Sequence, residues 1–291
     1  LGQLDVVPDA VPGFQLIHPD HLDTLATLAW PRFVKPVKGA FSVLAKRVET
    51  PDELRLHVGS PAARQFREEY MQIFNRLLDA FTSFEVDGSH FIAEDVLEGA
   101  LVTVEGFVYD DDVEFLGIVD SVLHPETGSF VRFDYPSLLD PHVQVRMQEI
   151  ARRVVKRLGL ERCGFNIEMM WDPTRDRVTI VEVNPRICGQ FADLYQKVDG
   201  TSGYEIALAL CLGARPLPLH RQGRHTCASS VPLRVFERCK VAHAPSMGDI
   251  ASAEALFPDT LVWSEAAQGE ALADFEAHED GRSHRYAVPN V

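Results

Sequence analysis

The sequence predicts a fold of the α+β class. Residues 140–159 combine an Asp-Pro helix start, apolar side chains at helical spacing and a terminal glycine, which is the pattern of an amphipathic helix. Residues 164–170 and 178–183 are short apolar runs, and the polar segment 172–176 between them is typical of a turn that returns the chain antiparallel. Helices and an antiparallel strand pair therefore occur in one chain.

The other elements repeat these two patterns along the chain. In order, they predict a short helix at 20–29, a strand pair within 33–48, a long helix at 61–83, alternating strands around Glu105 and at 114–122, a helix at 204–212, a linker at 214–225 and short β-rich runs over 226–287. The apolar stripe of the long helix includes Tyr70, Ile73, Leu77 and Phe81. We interpret this stripe as core.

The most informative segment begins at the second strand of the hairpin. Glu182, Asn184 and Arg186 alternate with Val183 and Pro185, so in an extended strand their side chains leave the same face. A carboxylate and a carboxamide oxygen side by side suit a hard divalent cation such as Mg²⁺. The guanidinium two residues on suits a carboxylate or a phosphoryl oxygen. The three side chains together predict chemistry on nucleotide phosphates.

A second acid supports the metal interpretation. The predicted hairpin brings Glu168 beside Glu182. Two carboxylates held together repel each other unless a cation lies between them. The alternative is that both acids face water from the polar side of an antiparallel pair, where most strand carboxylates lie. The whole constellation favours the metal.

Two segments in the first hundred residues, with the two acidic segments after them, resemble the ATP-grasp enzymes, specifically their carboxylate-amine ligase and biotin carboxylase-like branch. Residues 31–42, Pro-Arg-Phe-Val-Lys-Pro-Val-Lys-Gly-Ala-Phe-Ser, look like the strand and phosphate loop of that family. The resemblance makes Lys35 the ATP lysine and places Ser42 among the phosphate-binding residues, although the loop is poor in glycine. Lys38 is a further candidate neighbour of the phosphates.

The second segment, residues 91–99, is similar to the connection that holds adenine and ribose between the two lobes of the family. The resemblance implies that Glu94 meets the nucleotide and that the backbone from Asp95 to Leu97 meets the adenine edge. The third and fourth segments are those around Glu168 and Glu182. Four segments in the expected order are a more specific signal than any one of them.

The resemblance implies an ATP-grasp fold, in which two α+β lobes grip the nucleotide, with a small β-rich C-terminal lobe. On this reading residues 1–97 form the N-terminal part of the grasp region, residues 98–213 the lobe with the metal site, and residues 214–291 a linker and the C-terminal lobe. Family members usually begin with a further α/β domain. Because the lysine segment starts at residue 31, we expect that domain to be absent from this chain.

The resemblance also implies the reaction, which is ATP-dependent joining of a carboxylic acid to an amine through an acyl phosphate. ATP and Mg²⁺, with Mn²⁺ as an alternative, would be the cofactors. Glu168, Glu182 and Asn184 would hold the metal, and Arg186 would be the catalytic residue that holds the reacting carboxylate or phosphoryl group. Two alternatives stay open: carboxylation of a biotin-like acceptor through carboxyphosphate, and a nucleotide-binding module that turns nothing over.

Two further side chains near these segments are given no role in the chemistry. Glu105 could support the site or face solvent from the polar face of its strand, and we favour solvent. Cys188 is interpreted as a small buried residue, because phosphoryl transfer needs positioning and charge neutralisation and no thiol nucleophile.

Composition restricts the partners. A net charge of −15 argues against a nucleic-acid surface, and the five cysteines show neither metal spacing nor an even framework. With no run of membrane-spanning length and no signal peptide, the sequence predicts a cytoplasmic protein. The expected partners are small carboxylate and amine substrates, with no nucleic acid and no membrane. A homodimer, or a second chain that supplies the missing domain, is the expected assembly.

Overall fold

The computed structural model describes residues 5–22, 28–39, 43–125, 128–233, 239–264 and 267–272. Its helices are α1 Pro51–Val58, α2 Pro61–Gln65, α3 Gln72–Phe81, α4 Pro141–Arg157, α5 Ala192–Val198, α6 Gly203–Cys211 and α7 Met247–Leu256. Its strands are β1 Phe14–Ile17, β2 Arg32–Pro36, β3 Lys46–Val48, β4 Phe91–Asp95, β5 Ala100–Tyr109, β6 Asp112–Leu123, β7 Phe130–Tyr135, β8 Cys163–Asp172, β9 Arg177–Asn184, β10 Ala228–Ser230, β11 Cys239–Lys240 and β12 Ala271–Leu272.

The first lobe is a four-stranded antiparallel sheet with strand order β1-β4-β2-β3. One face of this sheet packs on α1, and its fully buried side chains include Val34, Phe91 and Leu54. Helix α1 starts where the sequence favours a start, because the Thr50 side chain accepts a hydrogen bond from Glu53 N and a proline follows it. The predicted strand pair within 33–48 is confirmed as β2 and β3.

The second lobe is a six-stranded sheet with strand order β10-β7-β6-β5-β8-β9. Helix α4 covers one face, where Met147 and Val154 pack on the apolar side chains of β5 and β8. Helices α5 and α6 cover the other face, where Leu194 and Ile206 pack near Phe107. The sheet is therefore covered on both faces, and the predicted helices at 141–158 and 204–212 are confirmed by α4 and α6.

The antiparallel hairpin predicted for 164–183 is present as β8 and β9. Its register pairs Asn166 with Asn184 and Glu168 with Glu182, and a bulge follows at Met169. Because side chains opposite each other on one face of an antiparallel pair are direct neighbours, the two glutamates meet as the sequence predicted.

The interpretation of the long helix at 61–83 is wrong in two respects. The segment is broken into α2, a π-helical turn at Phe66–Tyr70, and α3. Of its apolar stripe, Tyr70, Ile73, Leu77 and Phe81 are exposed, with Ile73 at 72% and Phe81 at 81% of full accessibility, and Phe66, Phe74 and Leu78 are half-buried, so the stripe is not core. Periodicity identifies an apolar face but not what covers it, and within the described residues α3 has no buried side chain.

The last third of the chain falls only partly within the described residues. Strand β10, which lies inside the range assigned to the C-terminal lobe, pairs with β7 and so extends the second sheet. The strands β11 and β12 pair with each other, and α7 precedes β12 in the chain. Half of the predicted helix at 20–29, residues 23–27, lies outside the described residues, and the described residues 20–22 and 28–29 are not helical. No helix of the described residues is both long and apolar enough to span a bilayer.

Candidate functional site

Lys35 lies near the end of β2 and joins the two lobes. Its Nζ is 2.8 Å from Glu94 Oε2 on the neighbouring strand β4. The same nitrogen donates a hydrogen bond of 3.1 Å to the main-chain oxygen of Val181 on β9. Glu94 is buried, so the lysine supplies the positive charge that this carboxylate needs. The structure thereby brings the predicted ATP lysine next to the strand that carries Glu182.

The sheet face that carries Lys35 and Glu94 also carries an apolar surface that sequence reasoning missed. The register places Phe14 opposite Glu94 and, on the other side of β4, Phe33 opposite the same residue. Phe14 and Phe33 remain 39% and 36% exposed. Partly exposed aromatic rings beside a buried ion pair form a surface on which a flat heterocycle can stack. The signal in the sequence was the alternation in residues 14–17, which is too short to interpret alone.

Asp95 ends β4 and is held by the segment before β1. Its side chain pairs with Arg32 and accepts a 2.9 Å hydrogen bond from Gly13 N, while its own main-chain N donates to Gly13 O at 2.9 Å. The side chain and the N–H of Asp95 are therefore committed to the fold. Leu97 lies half-buried between β4 and β5, in the connection from the first sheet to the second.

The two facing glutamates repel each other, and a cation between them would relieve that repulsion. Burial and the neighbouring Glu182 carboxylate raise the pKa of Glu168 to about 7, against the opposing effect of Lys35 and Arg186. Asn184 is half-buried and follows Glu182 by two residues along β9, on the same face. Two carboxylates and a carboxamide offer oxygen atoms that suit Mg²⁺, and a cation there would offset both the burial of Glu168 and the charge of Glu182. The residues therefore fit the ion.

Within the described part of the chain no three or more His, Cys, Asp or Glu side chains are grouped so that they could hold a metal by themselves. This agrees with the kind of site in question. Mg²⁺ is usually held by one or two carboxylates together with phosphate oxygens of the substrate, and not by a complete protein cage.

Arg186 lies on the loop that leaves β9. The residue is exposed, and its Nη1 donates a 3.3 Å hydrogen bond to the main-chain oxygen of Ile187. The loop passes close over β8, because a Cβ on Gly164 would stand 2.5 Å from Ile187 Cγ2 and 3.1 Å from Ile187 N. Glycine at this position lets the backbone of the arginine loop approach the sheet.

The interpretation of Glu105 as a solvent-facing acid is wrong. Glu105 lies in the middle of β5 with an exposed fraction of 0%, and it accepts hydrogen bonds from Cys188 N at 2.6 Å and from the Tyr195 hydroxyl at 3.2 Å. Burial raises the pKa of this carboxyl to about 8, against those two hydrogen bonds. The strand alternation was predicted correctly, but helices α5 and α6 cover the face of β5 that we expected to be exposed to solvent.

The other candidates are placed as follows. Ser42 lies outside the described residues, so its predicted contact with phosphate stays a prediction. Lys38 Nζ lies 6.0 Å from the centre of the Phe74 ring on α3, a cation–π arrangement. Cys188 is partly buried, and burial together with Glu105 raises the pKa of its thiol to about 11, which disfavours the nucleophilic thiolate.

A separate recess of about 220 Å³ lies between α5 and residues 225–263 and includes Gln190, Lys197 and Trp263 in its lining. None of the residues with predicted nucleotide or metal roles lines it. The chemistry-bearing side chains lie instead where β2 and β4 of the first sheet meet β9 of the second.

The protein-family model of the ATP-grasp domain matches residues 28–193 of the sequence, the stretch that contains all of these segments. The chain belongs to the ATP-grasp family. Among curated proteins it is 29% identical, over 178 residues, to the vancomycin/teicoplanin A-type resistance protein VanA of Enterococcus faecium, an alignment that covers 60% of this chain and 47% of VanA. The chain thus matches about half the length of that relative.

Solved structures agree on the fold. The crystal structure of L-amino acid ligase from Bacillus licheniformis superposes with a TM-score of 0.71 at 16% identity, covering 99% of this chain and 66% of that one. The ATP complex of carboxyaminoimidazole ribonucleotide synthase from Aspergillus clavatus gives a TM-score of 0.65 at 15% identity and covers 100% of this chain and 66% of that one. The predicted α+β ATP-grasp fold is therefore confirmed.

Proposed function

We propose that this ATP-grasp chain binds Mg²⁺-ATP between its two lobes and joins a carboxylic acid to an amine through an acyl phosphate. The observation that carries the proposal is the position of Lys35. Its Nζ contacts Glu94 of the first sheet at 2.8 Å and the main chain beside Glu182 of the second sheet at 3.1 Å. A phosphate-binding cation thus lies next to a carboxylate pair suited to Mg²⁺.

The nucleotide would occupy the cleft face of the first sheet. The apolar surface of Phe14 and Phe33 would receive the adenine ring, and Glu94 would meet the ribose or the adenine. The predicted contact between the adenine edge and the backbone from Asp95 to Leu97 does not use the N–H of Asp95, because that group already donates to Gly13 O. We therefore assign the adenine-edge donor to Leu97 and leave to Asp95 the support of the connection.

The triphosphate would extend from that face toward β9. Lys35 would neutralise phosphate oxygens, and Glu168, Glu182 and Asn184 would hold the metal. When bound there, Mg²⁺ would neutralise charge on the phosphate oxygens and relieve the repulsion between the two glutamates. Arg186, whose exposed guanidinium stays charged at any working pH, would hold the reacting carboxylate or the transferring phosphoryl group.

The reaction then proceeds in two balanced steps. In the first, a carboxylate oxygen of the acid bonds to the γ-phosphorus of ATP, the bond from that phosphorus to the bridging oxygen breaks, and ADP leaves. In the second, the amine nitrogen attacks the acyl carbon, phosphate leaves with the electron pair of the carbon–oxygen bond, and the extra proton on nitrogen passes to solvent. Positioning and charge neutralisation are the protein's contribution to both steps.

Relatives support this choice of reaction without fixing the substrates. The neighbour with the TM-score of 0.71 is an L-amino acid ligase, so amino acids are the first compounds to test. A biotin carboxylase from Campylobacter jejuni shares the fold at a TM-score of 0.60 and 13% identity, so bicarbonate is the second.

The test is calorimetric titration with ATP, with and without Mg²⁺, of the wild-type chain and of the variants Lys35→Ala, Glu182→Ala and Lys46→Ala. Lys46 is the matched control, because it lies on β3 of the same sheet and pairs with Glu53 at 2.9 Å, away from Glu94. We expect Mg²⁺-dependent binding that is weakened at least about tenfold in the first two variants and kept in the control.

Phosphate release is then measured with amino acids offered singly and in pairs, and with bicarbonate plus biotin. Release that requires both an acid and an amine supports the ligase. Release that requires only bicarbonate and biotin replaces it with a carboxylase. ATP binding that is indifferent to Mg²⁺ and to Glu182→Ala would overturn the metal assignment, and binding with no turnover under any condition would leave a nucleotide-binding module.

A further inference from the structure

The loop from Pro185 to Gln190 carries Arg186 but makes no strand pairing of its own. Its contacts with the second sheet are the close approach over Gly164 and two hydrogen bonds, from Cys188 N to Glu105 Oε1 at 2.6 Å and from Gln190 Nε2 to Ser230 Oγ on β10 at 3.0 Å. The Tyr204 hydroxyl of α6 also donates to Gly189 O at 3.2 Å, so of these side-chain bonds the one from Cys188 N to Glu105 lies nearest to Arg186 in the chain. Arg186 is exposed, and within the described part of the chain its guanidinium hydrogen-bonds to the adjacent carbonyl of Ile187 alone, at 3.3 Å, so the position of its charge follows the position of this backbone.

Every contact of the Glu105 carboxylate is with a donor. Oε1 accepts from Cys188 N, and Oε2 accepts from the Tyr195 hydroxyl at 3.2 Å and faces Asn166 Nδ2 at 3.5 Å. Tyr195 belongs to α5 and Asn166 to β8, so one side chain connects the loop, the helix behind it and the metal-bearing hairpin.

Such a residue is costly to bury. Its strand neighbours Val104 and Phe107 are fully buried in the core, and a carboxylate placed there is stable only while its donors stay in place. A leucine or methionine would fill this part of the sheet without that cost, but it would leave Cys188 N with no acceptor. The geometry, rather than core packing, is what requires an acceptor at this position.

We propose that Glu105 is a positioning residue that holds the 185–190 loop against the second sheet and thereby sets where the Arg186 guanidinium stands relative to Glu182 and Asn184. The tether itself stands on contacts within the fold. Its consequence for the reaction rests on the proposed ligase function, in which Arg186 acts on the carboxylate or phosphoryl group.

Three substitutions separate the tether from the ionisable group. Glu105→Gln keeps an acceptor at the same reach and removes the ionisable carboxyl. Glu105→Asp keeps a carboxyl and withdraws its oxygens by one methylene, out of reach of Cys188 N. Glu105→Ala removes both.

The control is Asp199→Asn, a second buried carboxylate of the same lobe. Asp199 is 3% exposed and accepts from the Tyr135 hydroxyl at 2.5 Å and from Arg221 N at 2.9 Å, without touching the loop. It therefore reports what losing a buried, tyrosine-bonded carboxylate does to the lobe in general.

The first readout is amide hydrogen exchange of the peptide that contains residues 186–191, measured on the whole chain by mass spectrometry. Loss of the hydrogen bond from Cys188 N predicts exchange about tenfold faster in Glu105→Asp and Glu105→Ala. Glu105→Gln should stay within about threefold of the wild type, and Asp199→Asn should leave this peptide unchanged. Unchanged exchange in Glu105→Asp, or equal acceleration in Asp199→Asn, would overturn the tether.

The second readout is steady-state phosphate release with the substrates found for the wild type. We expect kcat to fall about tenfold or more in Glu105→Asp while the Kd for Mg²⁺-ATP changes less than about threefold, and Glu105→Gln to recover most of the rate. Equal losses in Glu105→Gln and Glu105→Asp would refute positioning. If the wild type turns over no substrate, the exchange readout still decides the tether, so the two proposals fail by different results.

Discussion

Replacing Glu168 by glutamine should stabilise the metal-free protein at alkaline pH. Glu168 and Glu182 face each other across β8 and β9, and burial with the Glu182 charge raises the pKa of Glu168 to about 7 from an ordinary 4.5. A carboxyl whose pKa is higher in the folded chain than in the unfolded chain binds its proton more tightly when folded. Its contribution to stability is complete below pH 4.5 and is lost as the pH rises through about 7.

The magnitude follows from that pKa. A rise from 4.5 to about 7 corresponds to about 3 kcal/mol, and because Glu168 is only partly buried we expect about 2 kcal/mol to be realised. Glu168→Gln removes the ionisation. At pH 8.5 in EDTA the variant should therefore be about 2 kcal/mol more stable to urea than the wild type, and at pH 5.5 the difference should shrink to less than about 1 kcal/mol.

Magnesium should reverse the order. The proposed metal site uses both carboxylates together with phosphate oxygens, so Mg²⁺ added with ATP should stabilise the wild type at pH 8.5 more than it stabilises Glu168→Gln. Glu149→Gln on α4 is the control, since this side chain is 61% exposed and lies 3.9 Å from Arg152. Equal stability of the wild type and Glu168→Gln at pH 8.5 in EDTA would show that the two carboxylates do not oppose each other, and the reasoning behind the metal site would fail.

Three further outcomes can be tested on the same preparations. Lys35→Ala should weaken Mg²⁺-ATP binding roughly 10- to 100-fold by calorimetry, through loss of a charged donor to phosphate, whereas an unchanged affinity would remove Lys35 from the site. Gly164→Ala should lower stability by about 1–3 kcal/mol and slow turnover, because the new Cβ would stand 2.5 Å from the Ile187 side chain; Gly248→Ala on α7, whose nearest contact would be 3.6 Å, is its control in urea unfolding. Phe81→Ser should change the free energy of unfolding by less than about 0.5 kcal/mol, since this side chain is 81% exposed, and a loss above about 2 kcal/mol would restore the core interpretation.

Local sequence patterns were sufficient to predict which acidic side chains meet on neighbouring strands. The turn at 172–176 fixed the hairpin, and the two-residue period of a strand then placed Glu168 opposite Glu182, because register and alternation are local properties. The roles of these residues and of Asn184, Arg186 and Lys35 remain predictions, but their placement near one another is what those roles require.

Sequence patterns gave wrong predictions of burial where the packing of a second layer decides which side chains are buried. The burial of Glu105 and the burial of the stripe on α3 were predicted wrongly in opposite directions. The acid was left to solvent and is fully buried under α5 and α6, whereas the apolar stripe was assigned to the core and stands exposed. A single strand or helix shows which side chains share a face, but nothing in its own residues states which layer covers that face.

The amino-acid sequence by itself determined the family and the hairpin of β8 and β9, and it predicted which residues would bind phosphate and metal, because these inferences follow from side-chain chemistry and short-range geometry. The tertiary structure decided the rest. It brought Lys35 of the first sheet to the main chain of Val181 in the second, placed an apolar surface beside Glu94, and connected Glu105 to a loop 83 residues away in the chain. Contacts between residues so far apart form only when the layers pack, and one sequence contains no local signal for that packing.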